Sequence, residues 1–99
     1  MTIAKSVLPA LDDRRSVRNH VRLEGSLQVG TKTFPVIVLN VSAHGVMAEF
    51  DQSLSPGRPV TVELSGLVAT RGRVAWVRQG HMGVAFDEPL TLGALLAIV

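Results

Sequence analysis

The chain has 99 residues, 46% of them hydrophobic, and carries a formal net charge of only +2. That is enough for one compact core and too little for a cleft between two lobes, so a single domain is expected. With no cysteine, disulfide frameworks, thiolate metal sites and cysteine redox chemistry are all excluded.

In chain order, residues 1–13 show little pattern and are expected as a flexible N-terminal tail, ahead of one domain over residues 14–99. Met1 to Ala10 lack the unbroken apolar run of a signal peptide. Leu90 to Val99 is apolar but about half the length that spans a bilayer. A cytoplasmic location with no transmembrane segment is therefore expected.

Charge is unevenly spread. Residues 1–22 hold five basic side chains against Asp12 and Asp13, a net +3, whereas the remainder holds five against six, a net −1. The basic stretch is Arg14-Arg15-Ser16-Val17-Arg18-Asn19-His20-Val21-Arg22. Clustered guanidinium groups point to an anionic partner met there.

From Leu23 onward the pattern has a period of two. Leu23, Gly25, Leu27 and Val29 alternate with polar residues, Gly30-Thr31-Lys32 is a turn, and Phe34 to Val41 is a β-branched run. Val46, Ala48 and Phe50 mark a third strand, ended by Ser55-Pro56-Gly57. Val60, Val62 and Leu64 mark a fourth, and Leu67 to Arg78 a fifth, with Val74 and Trp76 together on the inner face. Gln79-Gly80 turns the chain into a sixth strand, His81 to Phe86. Six short antiparallel strands with regular turns predict a closed all-β barrel, and Leu90 to Val99 is expected as a short helix across one end.

Two constellations could carry chemistry. The arginine stretch contains two overlapping Arg-x-x-x-Arg spacings, Arg14 with Arg18 and Arg18 with Arg22. The planar guanidinium fork donates paired hydrogen bonds to phosphate and equally to guanine O6 and N7. Asn40-Val41-Ser42-Ala43-His44-Gly45 follows at the junction of the second and third strands. Its Asn and Ser can bond backbone or ligand, and Gly45 can take positive φ to turn the chain.

Arg-x-x-x-Arg before a first strand, followed by Asn-x-Ser-x-x-Gly, resembles the PilZ domain family. Gly72-Arg73-Val74-Ala75-Trp76-Val77 and Met82-Gly83-Val84-Ala85-Phe86 are similar to that family's closing strands, so the resemblance extends over roughly residues 14–88. It implies a six-stranded barrel and binding of the bacterial second messenger cyclic di-GMP. The implied ligand set is Arg14, Arg15, Arg18, Arg22, Asn40, Ser42 and Gly45, with the arginines on phosphate and guanine and the second motif on base and ribose. The register Arg18 with Arg22 is favoured because Arg22 runs directly into apolar Leu23. Arg18 belongs to both registers. The family more often has Asp where this chain has Asn40.

The chain is read as a binding module and not an enzyme. It needs no cofactor beyond the messenger and relays the signal to a protein effector as the N-terminal arginine segment orders on the barrel. The competing readings are a nucleotide-independent adaptor on the same barrel and a basic nucleic-acid-binding barrel. Placing Trp76 in the core argues against the latter, since single-strand binders present aromatics for stacking, so no DNA or RNA partner is expected. His20, His44 and His81 lack metal-ligand spacing. Ser42 and His44 lack the setting of a nucleophile and its base. Arg71, Arg73 and Arg78 read as a solvated face, from which one could help hold a bound phosphate.

Overall fold

A computed structural model of the protein describes residues 19–65 and 67–98. Arg14, Arg15 and Arg18, together with the expected tail over residues 1–13, lie outside this range. The strands are β1 (Asn19–Val29), β2 (Lys32–Ser42), β3 (Gly45–Glu49), β4 (Pro59–Leu64), β5 (Leu67–Arg78) and β6 (His81–Phe86), followed by helix α1 (Leu92–Ile98). They close into an antiparallel barrel in the order β1-β2-β3-β6-β5-β4. Closure pairs strands that an open sheet would leave as edges, and it bears out the predicted fold.

Local chemistry explains the corners. β5 and β6 are joined by the two residues Gln79 and Gly80, at φ 51° and 79°. Positive φ at both central positions is the hairpin turn whose twist matches the flanking strands. Ser55-Pro56-Gly57-Arg58 closes with the Arg58 amide donating to the Ser55 carbonyl at 3.1 Å. Pro56 presets the second position of that turn. Thr91 caps α1, its Oγ1 accepting from the Ala94 amide at 3.1 Å.

The core lies inside the barrel, where Leu27, Val38, Val41, Val62, Val74 and Met82 are almost wholly buried. Val41, Val46, Val84 and Val74 form one inward row across four strands. Phe34 and Phe50 meet edge to face, with ring centroids 5.5 Å apart. Ile98 of α1 joins the buried cluster, as expected of a helix across a barrel end.

Two features depart from the sequence reading. β1 starts at Asn19, because the far half of the long β2 takes Asn19 and His20 as partners for Val41 and Asn40. Part of the arginine stretch is therefore barrel strand. The second departure is Trp76, which is exposed rather than buried. The β5–β6 register shifts between Val74 and Trp76, and the extra residue turns the indole outward. Val77 takes the inward position and is packed against the core.

Candidate functional site

Asn40 and Ser42 flank Val41 on β2. Val41 points into the core, so alternation places its two neighbours on the outer face. There Asn40 is in register with His20 of β1 and Met47 of β3. Met47 is opposite Gly83 of β6, which is opposite Trp76 of β5. One outward row thus runs His20, Asn40, Met47, Gly83, Trp76. Three strand spacings, about 14 Å, separate the backbones of Asn40 and Trp76.

The row includes a ready-made aromatic platform. A side chain on Gly83 would collide with the Trp76 indole, so the ring occupies the space that the glycine leaves open. Trp76 remains 37% exposed, and the Arg78 guanidinium sits 6.0 Å from its ring centroid, within cation–π range. Sequence reading missed this residue. The available signal was the pairing of a small Gly83 with a large Trp76, but it is visible only once the register is known.

Asn40 and Ser42 are each only 7% exposed although they face outward. The Ser42 hydroxyl accepts from the His44 amide at 3.2 Å, which pins the turn and leaves the O–H free to donate. The Asn40 amide makes no side-chain hydrogen bond to any described residue. A buried polar group without a partner among the described residues calls for one elsewhere.

Gly45 does not use the positive φ open to a glycine. A Cβ there would run into the Val84 carbonyl and come within 3.4 Å of Ala85 Cα. The glycine is required because β3 and β6 approach so closely, and the turn itself needs no special conformation. The turn is further tied down by the Phe86 amide on the His44 carbonyl at 2.8 Å and the Leu90 amide on the Ala43 carbonyl at 2.7 Å.

Arg22 sits at the register shift between His20 and Leu23. Its Nη1 lies 3.7 Å from Glu49 Oε2, with the two side chains 70% and 43% exposed. An exposed pair of this kind is worth at most about 1 kcal/mol, so a better anion can take Arg22. Glu49→Gln should lower the melting temperature by no more than about 8 °C and tighten binding of a dianionic ligand by no more than about five-fold, measured by calorimetry. A melting temperature lowered beyond that would show the pair to be structural. Among the described residues no three His, Asp or Glu side chains come together as a metal-ligand set, and no helix is long and apolar enough to cross a membrane.

The structure therefore brings Arg22, Asn40, Ser42 and Gly45 onto one outer face and adds Trp76 and Arg78, while Arg14, Arg15 and Arg18 lie beyond the described residues. A comparison with curated proteins finds no match. A family model of the PilZ domain matches residues 12–99. With that match covering the whole barrel, and the barrel built as the resemblance implied, this chain belongs to the PilZ domain family.

Proposed function

We propose that this domain binds cyclic di-GMP on the outer face of β2, β3, β6 and β5 and passes the signal to a protein partner. The PilZ family is known for cyclic di-GMP receptors, and its domains bind ligands or partners and are generally not enzymes. The observation that carries the reading for this chain is the outward row linking buried Asn40, whose side chain has no hydrogen-bond partner among the described residues, to the exposed indole of Trp76.

The chemistry divides among these groups. Trp76 offers one guanine a stacking surface. Asn40 and the Ser42 hydroxyl supply hydrogen bonds to base or ribose, and Gly45 keeps the approach clear. Arg22, released from Glu49, meets a phosphate or the O6 and N7 edge of guanine, joined by Arg18, Arg14 and Arg15 from the preceding segment. As these arginines order on the messenger, the charge and shape of this face change, which is what a partner reads. A cytoplasmic location goes with this reading.

Trp76 is the one tryptophan in the chain, so its fluorescence reports on the site directly. Titration with cyclic di-GMP should change that emission and release heat at the same midpoint. Trp76→Ala should weaken binding at least five-fold, from roughly 1 to 3 kcal/mol of base stacking. A titration that gives no heat and no change in emission would refute the receptor reading and leave the nucleotide-independent adaptor.

Exposure of Trp76 removes the earlier argument against single-stranded nucleic acid that rested on its burial. A different one replaces it. Phe50 and Phe86 are buried and Phe34 is packed against the core, so this face has one stacking ring where a track of bases needs several.

A further inference from the structure

Arg71 and Arg73 project from one face of β5 on either side of buried Gly72. Arg71 is in register with Thr61 of β4, which is opposite Gln28 of β1. Along this strip runs a groove of about 470 Å³ whose lining includes Gln28, Gly30, Thr61, Arg71, Arg73 and Asp87. Arg58 reaches its Gly30 end, with Nη2 3.7 Å from where a Cβ on that glycine would stand.

Backbone contacts hold the strip in place. Arg73 Nη1 donates to the Gly57 carbonyl at 3.1 Å, and the Asp87 amide donates to the Arg71 carbonyl at 3.0 Å. Asp87 is the one acidic residue lining the groove. Among the described residues the only ion pair is Arg22 with Glu49, so no described carboxylate pairs directly with Arg58, Arg71 or Arg73, and Asp87 alone offsets part of their charge in the groove.

We infer that this groove receives an acidic segment of a partner protein, whose Asp and Glu carboxylates meet Arg58, Arg71 and Arg73. Guanidinium forks match carboxylates in pairs, and three of them on one polar groove make a complementary surface. No aromatic side chain lines the groove, so nucleic-acid bases would find nothing to stack on there. The groove also adjoins the proposed messenger site. Arg73 is opposite Ala85, Ala85 is opposite Gly45, and Gly45 is opposite Ser42. An occupant would therefore share an outer row with the Asn-x-Ser-x-x-Gly motif. This inference goes beyond the proposed function by assigning the partner's face and chemistry, and it stands whether or not the messenger binds.

The test uses the isotope-labelled full chain, titrated with an eight-residue polyglutamate peptide at low and at physiological salt, with and without cyclic di-GMP. Parallel titrations use inorganic phosphate and an oligothymidylate. Amide shifts from the peptide should concentrate at Gln28, Thr61 and Arg71 to Arg73, and binding should weaken several-fold at the higher salt. The double variant Arg58→Gln, Arg71→Gln should lose this response while keeping its melting temperature and its cyclic di-GMP affinity. No shifts at these amides, or an unaltered response in the double variant, would overturn the inference. So would an equal response to phosphate, which marks a small-anion site, or a stronger one to the oligonucleotide. A peptide response with no cyclic di-GMP binding would sink the receptor reading and leave the docking face standing.

Discussion

Replacing Arg18 by Ala is expected to weaken cyclic di-GMP binding by about ten- to a hundred-fold. A charge-assisted hydrogen bond contributes about 1.5 to 3 kcal/mol net, and micromolar affinity needs about 8 kcal/mol in all. Three or four such contacts account for the binding, so losing one removes a large share. Arg18 is chosen because it belongs to both Arg-x-x-x-Arg frames. Companion variants decide which frame operates. If Arg18 acts with Arg22, Arg22→Ala should cost a similar factor and Arg14→Ala little, and the opposite order would select the earlier frame. Calorimetry showing Arg18→Ala at the affinity of the parent chain would refute the arginine assignment.

The second large effect is on stability. Gly45→Ala should lower the melting temperature by about 5 to 20 °C, because the added Cβ would meet the Val84 carbonyl. Overpacking typically costs about 1 to 3 kcal/mol, and in a domain of this size each kcal/mol shifts melting by about 4 to 8 °C. Little can relax to relieve it. The obstacle is backbone, and β3 has only five residues with which to hold β6. Opening that seam would also displace Ser42, opposite Gly45 on the other side, so cyclic di-GMP affinity should fall together with stability. An unchanged melting curve would show that the seam yields readily and that Gly45 serves some purpose other than close packing.

A glycine at the end of Asn-x-Ser-x-x-Gly is an ordinary turn signal, and positive φ is the local reason for one. The actual reason is a strand almost forty residues later in the chain, Val84 and Ala85 of β6. No local pattern contains that approach. Trp76 was misplaced for a related reason. Alternation through Val74 puts it inside, and a single extra residue in the register reverses this for Trp76 and restores the inward position to Val77. The shift between Val38 and Asn40 on β2 has the same character. All three are settled by how two strands must match when the barrel closes.

Strand identity is a local property, and the alternation of Leu27 and Val29, of Val60, Val62 and Leu64, and of Met82, Val84 and Phe86 was enough to predict six strands and their closure. Residue chemistry and order likewise singled out Asn40, Ser42 and the arginines as candidates. Each of these depends on neighbours within a few positions. Tertiary structure alone decided that Asn40 and Trp76 share one outward row, that Arg22 pairs with Glu49, and that Arg71 and Arg73 line one groove whose Gly30 end Arg58 reaches. Those juxtapositions depend on cross-strand register, and register is set only when β1 meets β4 and the barrel closes.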